Sequence, residues 1–242
     1  MLKLRDKTDK YYTTKPVIFN VPFKLIICGK SQLSGKTSVV ANLLLRKKYY
    51  RDDFKGENIF IVSPSIHNDN KLKIVIEQLD IPRSNLIETF DEQMLTEIYS
   101  MIADEYESAV DDNRTPENYL FVFDDMSFSG VLRGRGGAKA HGIVNKMFCN
   151  GRHIMLSTIL TTQSYVDIST ACRENATGMI LFSCSNRQLD QIADDHAHIN
   201  RSEFKRVFRE TTKKKHSFLV INYSNDTEMR YLDSNFKPIK SV

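Results

Sequence analysis

Short apolar runs alternate with helical periods along most of the chain, and that alternation sets the expected fold. The runs at residues 23–28, 58–62, 119–124, 154–160, 178–182 and 217–223 are rich in Val, Ile, Leu and Phe with few polar interruptions. A strand covered on both faces reads this way. Between the runs, residues 38–50, 71–79, 92–110, 141–150, 187–194 and 201–210 carry apolar side chains at helical spacing. Strands separated by helices predict an α/β fold, a mostly parallel sheet with helices on both faces. Residues 227–232 extend the pattern as a candidate edge hairpin strand. Residues 1–21, with Tyr11, Tyr12, Thr13, Thr14 and Pro16, show neither period and read as an irregular lead-in, leaving residues 22–242 as one domain. Residues 127–140, a Gly/Arg/Ser stretch without periodicity, predict a mobile loop.

The first apolar run leads straight into Gly29-Lys30-Ser31-Gln32-Leu33-Ser34-Gly35-Lys36-Thr37, and Ser38 opens a helical pattern. Strand, small-residue loop and helix in that order make a phosphate cradle. Backbone N–H groups at a helix N-terminus face the anion, and the helix dipole favours negative charge there. In the pattern G-x-x-x-x-G-K-[ST], Lys36 falls on the β- and γ-phosphates of a nucleotide and the Thr37 hydroxyl on Mg²⁺. The first glycine of that pattern falls on Lys30, with Gly29 one residue early. A loop longer by one residue solves this more easily than Lys30 at positive φ. A chance Gly-Lys-Thr turn on an ordinary helix explains less, because a strand precedes it.

The third run, Tyr119-Leu120-Phe121-Val122-Phe123, ends in Asp124-Asp125. An acid at the end of such a strand helps to hold Mg²⁺, and a second can orient or deprotonate an attacking water. Asp124 takes the first role and Asp125 the second. Strand ends also carry Asp as plain turn or cap residues, but here the acids and the phosphate loop each follow their own buried strand. The fourth run leads to Thr161-Thr162-Gln163. Gln163 can donate and accept at once, so at a strand tip beside the acids it can sense a γ-phosphate or its water.

Composition narrows the class. The chain has 242 residues, a length that fits one α/β domain, and its 41% hydrophobic and 26% charged residues are the balance expected of a soluble globular protein. No apolar stretch approaches the length of a membrane span, and the N-terminus has no apolar leader, so a cytosolic or nuclear-type compartment is expected without membrane insertion. Cys28, Cys149, Cys172 and Cys184 are scattered and read as reduced core thiols. The net charge of +4 permits contact with nucleic acid. The local candidates for that contact are Arg133, Arg135 and Lys139 in the Gly-rich loop, and the run Lys213-Lys214-Lys215-His216; each also reads as a solvated surface segment. His196 and His198 do not share a helix face, so Asp194-Asp195-His196-Ala197-His198 reads as a helix C-terminus with His near the last carbonyls.

Taken in order, Gly-Lys-Thr, the apolar strand ending in Asp-Asp-Met, Gly151-Arg152-His153 and Thr162-Gln163 resemble the FtsK–HerA superfamily of DNA-pumping ATPases. Within it the chain is most similar to the genome-packaging ATPases of poxviruses, other large DNA viruses and virophages. Ser63-Pro64-Ser65 and Arg173-Glu174-Asn175 add to the match, which covers roughly residues 20–225. Gln32-Leu33 interrupt the Gly-rich run common in that family. The resemblance implies a RecA-like fold and a homo-oligomeric ring with ATP hydrolysed at subunit interfaces. It also implies double-stranded DNA driven through the ring into a capsid, with capsid or portal-vertex proteins as partners, in the host cytoplasm (a viral factory) or the virion. An arginine reaching a neighbour's pocket would stabilise the transferring phosphoryl group. Arg152, read as opening the fourth strand, is the first candidate; Arg173, read in a loop, is the second. A helicase, a DNA-segregation pump or a nucleotide-binding scaffold with little turnover would use the same loop. No nuclease-like segment follows the ATPase pattern, which points away from a terminase that also cuts DNA.

Overall fold

The computed structural model describes residues 7–16, 18–30, 34–125 and 142–239. Eight strands form one sheet: β1 (Lys24–Cys28), β2 (Ile59–Val62), β3 (Leu86–Ile87), β4 (Tyr119–Phe123), β5 (Leu156–Thr162), β6 (Gly178–Phe182), β7 (Phe218–Asn222) and β8 (Tyr231–Leu232). Their order is β3-β2-β4-β5-β1-β6-β7-β8. Strands β1 to β6 are parallel to one another. β7 pairs antiparallel with β6, and β8 antiparallel with β7. The helices are α1 (Lys36–Leu45), α2 (Asn70–Gln78), α3 (Glu92–Asp111), α4 (Gly142–Asn150), α5 (Thr170–Asn175), α6 (Asn186–His196) and α7 (Arg201–Thr211). This is the α/β architecture expected from the alternation of periods.

Strand parity divides the core. Ile26 and Cys28 of β1, Phe60 and Val62 of β2, and Phe121 and Phe123 of β4 join Leu95, Ile102, Met147 and Phe204 on one face. Leu25, Ile27, Ile59, Ile61, Leu120 and Val122 join Val40, Leu43, Leu44 and Val75 on the other. Successive side chains of a strand point to opposite faces, so a continuous apolar run is what a doubly covered sheet requires. Phe60, Phe121 and Phe123 stack in series, with centroids 4.9 and 5.7 Å apart. Residues ahead of β1 also enter the core. Ile18, Phe19 and Val21 are buried, and a Cβ on Gly178 would lie 2.0 Å from the Phe19 ring.

Several boundaries differ from the sequence expectation. Helix α1 begins at Lys36 and ends at Leu45, rather than spanning residues 38–50. The chain leaves the helix so that Tyr50 can bury itself against Phe23, at 4.6 Å between centroids, and donate to Phe19 O at 2.8 Å. β5 is displaced toward its C-terminal end: Gly151–Ile154 form a single 3₁₀ turn, Met155 has φ 55°, and pairing starts at Leu156. Arg152 therefore stands in that turn, not in the strand. The two-residue β3 was not legible, because two residues cannot show a period. Within 227–232 only Tyr231–Leu232 form a strand, since Thr227–Met229 make a 3₁₀ turn. The four cysteines are free thiols. Among the described residues no helix is long and apolar enough to cross a membrane.

Candidate functional site

The carboxyl ends of β1, β4 and β5 meet at the middle of one sheet edge, and Lys36, Thr37, Asp124, Asp125 and Gln163 gather there. Gly29 follows β1 and donates its N–H to Thr162 O at 3.0 Å, tying the loop to β5. Its lack of a side chain is required by close approach: a Cβ would lie 2.7 Å from Ser34 Cβ and 2.8 Å from Phe182 Cβ. Ser34 donates its hydroxyl to Lys30 O at 2.7 Å. Gly35 caps α1 with φ 88°, in the left-handed region that favours glycine. Lys30 is not among the described residues with positive φ, so the turn glycine of the pattern is not needed at that position. Ser31, Gln32 and Leu33 lie outside the described residues.

Lys36 is buried at 9% exposure and donates to Gly29 O at 2.9 Å. Burial lowers its pKa, while the carboxylates of Asp125 and Asp124 pull it upward. Thr37 and Ser38 follow in the first turn of α1. Lys36 and Thr37 line a cavity of about 210 Å³ together with Gly35, Asp124 and Asp125. That volume suits a chain of phosphate groups better than a whole nucleotide.

The two acids are held by Thr161 of β5 and by Gln163 just after it. The Thr161 hydroxyl donates to Asp124 Oδ1 at 2.7 Å and accepts the Asp125 N–H at 3.0 Å. Gln163 donates from Nε2 to Asp125 Oδ1 at 2.8 Å. Asp124 is only 2% exposed. Burial raises its pKa, the Thr161 hydrogen bond lowers it, and the neighbouring Asp125 and Asp69 carboxylates raise it further. Asp125 has φ 51°, a backbone state in which Asp is enriched among non-glycine residues.

Sequence reasoning missed part of this wall. In the sequence Thr161 reads only as a polar strand end, and nothing in its residue type says that it bridges both acids. Ser65, Asp69 and Lys71 also line the cavity. Asp69 caps α2, accepting from Lys71 N at 2.7 Å and Leu72 N at 3.3 Å. Ser65 is linked to Ser63 by a hydroxyl contact of 3.0 Å. The available signal was Ser63-Pro64-Ser65 after β2, but only the pairing of β2 with β4 puts it beside Asp124.

The arginines do not join the site within one chain. Arg152 is exposed before β5, whose seven residues at about 3.3 Å each put it roughly 20 Å from Gln163. Its Nε contacts His153 Nε2 at 3.4 Å. Arg173 lies inside α5, not in a loop, and is engaged elsewhere: it pairs with Asp195 and sits 5.2 Å from the centroid of the Tyr165 ring. Among the described residues no arginine lines the cavity. Arg133, Arg135 and Lys139 lie outside the described residues.

The acid–histidine segment is structural. The Tyr165 hydroxyl donates to Asp195 Oδ2 at 2.7 Å and lies 2.5 Å from His196 Nε2. Its one proton being spent on Asp195, it accepts from Nε2–H, and Nδ1 accepts from the Tyr223 hydroxyl at 2.6 Å. Burial pushes the His196 pKa down to about 4, so the ring is neutral. Helix α6 ends at His196, as expected of this segment, and both ring nitrogens are engaged by Tyr165 and Tyr223. The described residues contain no cluster of metal-ligand type.

The fold has solved counterparts. The genome packaging NTPase B204 from Sulfolobus turreted icosahedral virus 2, in complex with sulfate, superposes with a TM-score of 0.58 at 14% identity, covering 91% of this chain and 98% of that one. The same protein in complex with ATP-gammaS gives 0.53 at 15% identity over 90% and 97%. The pCW3 conjugation coupling protein TcpA in its monomer form with ATPgS gives 0.57 at 10% identity, over 90% of this chain and 66% of that one. At such identities the likeness shows a shared RecA-like P-loop fold. No curated protein sequence matches the chain. A family model described as the poxvirus A32 protein matches residues 11–232, most of the chain's length, and the chain belongs to that family.

Proposed function

We propose that the chain is an ATP-hydrolysing motor that moves double-stranded DNA in viral genome packaging, acting as a homo-oligomeric ring. The observation that carries this reading is the meeting of Lys36 and Thr37 with Asp124 and a Gln163-held Asp125 on one edge of a packaging-NTPase fold. The Gly29–Ser38 backbone cradles the phosphates, and Lys36 neutralises the β- and γ-phosphate charge. The donor set suits Mg²⁺: oxygens from Thr37 and Asp124, and a buried carboxylate whose raised pKa reports charge without full compensation. Bound Mg²⁺ would supply Lewis-acid neutralisation at the phosphate oxygens. Asp125 orients and deprotonates the attacking water, and Gln163 sets the direction of its carboxylate.

Arg152 cannot reach its own pocket, so its part is to complete a neighbour's. The partners are duplex DNA and capsid or portal-vertex proteins, and the setting is the host cytoplasm or the virion.

The test is steady-state ATP hydrolysis with and without duplex DNA. DNA-stimulated turnover that is lost in Lys36→Ala and Asp125→Asn is expected. Tight ATP binding with no turnover in any assembled state would overturn the motor reading in favour of a scaffold. Mixing Arg152→Ala with Lys36→Ala subunits locates the finger: unchanged hydrolysis by pure Arg152→Ala rings would remove Arg152.

A further inference from the structure

The run Lys213-Lys214-Lys215-His216 has no part in the site described so far, yet the sheet brings it beside the phosphate loop. β7 is antiparallel to β6, with Phe218 paired to Phe182. The turn entering β7 therefore emerges at the edge where β1 and β6 end. Ser217 donates its N–H and its hydroxyl to Lys214 O, at 3.1 and 2.6 Å, and His216 has φ 64°. A Cβ on Gly35 would lie 3.8 Å from His216 Nδ1. With Lys30 and Ser34 the turn lines a cavity of about 310 Å³. Ser34 also lines the cavity that holds Lys36 and Asp124, so the two are adjacent across one residue.

Their charges differ. The first cavity mixes Lys36 and Lys71 with Asp69, Asp124 and Asp125, whereas none of the described residues lining the second is a carboxylate. Among the described residues, none of Lys30, Lys213, Lys214 and Lys215 has a carboxylate within ion-pair distance. Cations after the last turn of α7 are favoured by its dipole, but that does not explain why Lys30, from another segment, faces the same space. Like charges converging on one cavity are offset by an anion between them.

We propose that this cavity is the subsite for the nucleoside monophosphate end of the bound nucleotide. The α-phosphate and ribose lie against Lys30 and Lys213–His216, and the terminal phosphates extend toward Asp124 and Asp125, where a cation is needed. This rests on the reading of the Gly29–Thr37 loop as a nucleotide site and adds the direction in which the nucleotide lies.

The experiment uses isothermal titration of the full chain with ATP, AMP and pyrophosphate, in Mg²⁺. A Lys213→Met/Lys215→Met variant and His216→Ala alter exposed residues only, and thermal melts verify the fold. In the double variant, ATP and AMP should each bind about tenfold or more weakly, as expected for lost charge-assisted contacts. Pyrophosphate, which needs only the loop around Lys36, should change less than about twofold. Variants that bind ATP and AMP as the wild type does, while losing affinity for duplex DNA, would overturn the subsite and make the turn a DNA contact. Wild-type protein that binds neither ATP nor AMP would overturn the nucleotide reading itself.

Discussion

Thr161 offers a test of the site that alters no group assigned to the chemistry. Its hydroxyl bridges Asp124 Oδ1 and the Asp125 N–H at 2.7 and 3.0 Å, and the residue is completely buried. Thr161→Val keeps the shape and removes the bridge. The bond to a carboxylate contributes about 1.5–3 kcal/mol, and stranding the Asp125 N–H costs about 1–3 kcal/mol. The two are not additive, and a central figure is about 3 kcal/mol. At about 2–4 °C per kcal/mol for a chain of this size, Tm should fall by about 6–12 °C. The pH profile should move as well. Thr161 is the donor that holds the Asp124 pKa down against burial. Without it that pKa rises further, and an Asp124 that works ionised becomes available only at higher pH. The acid limb of ATP hydrolysis should therefore shift upward in pH. Thr161→Ser keeps the hydroxyl and loses a buried methyl worth about 1 kcal/mol, so its acid limb should stay with the wild type. A Thr161→Val protein that melts within about 2 °C of wild type, with an unmoved acid limb, would refute the bridge as the device that sets Asp124.

Other outcomes follow from the same geometry. Burial raises the Asp124 pKa above its unfolded value, so the folded state binds the extra proton, and ionisation above that range costs stability. Asp124→Asn should then raise Tm by about 2–4 °C while abolishing hydrolysis, as read by calorimetry beside an ATPase assay. His196 has the reverse sign. Its folded pKa of about 4 lies below the unfolded value, so stability present at neutral pH is lost as pH falls toward 4, with Asp195, Arg173 and His198 as the charges facing the ring. Urea unfolding should show about 2 kcal/mol less stability at pH 5 than at pH 7, and His196→Gln should flatten that difference. Gly29→Ala forces a Cβ to within 2.8 Å of both Ser34 and Phe182. It should cost about 1–3 kcal/mol as overpacking and weaken ATP binding in a titration, whereas wild-type affinity with an unchanged melt would contradict the close packing.

Sequence by itself determined the sheet class, most of the helices and three of the site's charged groups, Lys36, Asp124 and Asp125. Periodicity is a local property, and burial on both faces of a parallel sheet imposes it on each strand separately. Gly29-Lys30-Ser31 through Lys36-Thr37 and Asp124-Asp125 were legible because each follows its own buried strand in the chain. What required the tertiary structure was adjacency. Strands β4 and β5 are neighbours in the sheet but separated by α4 in the chain, so the Thr161 bridge between the two acids exists only once they pair. The same holds for Ser65 and Asp69, brought in by β2 beside β4, and for the lysine turn of 213–216, brought to the phosphate loop by the antiparallel return of β7. Arg152 shows the converse. The resemblance marked it as part of the site, but the length of β5 puts it at the opposite edge of the same sheet, away from its own chain's Lys36 and Asp124. Chain-local patterns record which face a residue buries, whereas the partners that set a carboxylate's charge or an arginine's reach come from segments distant in sequence.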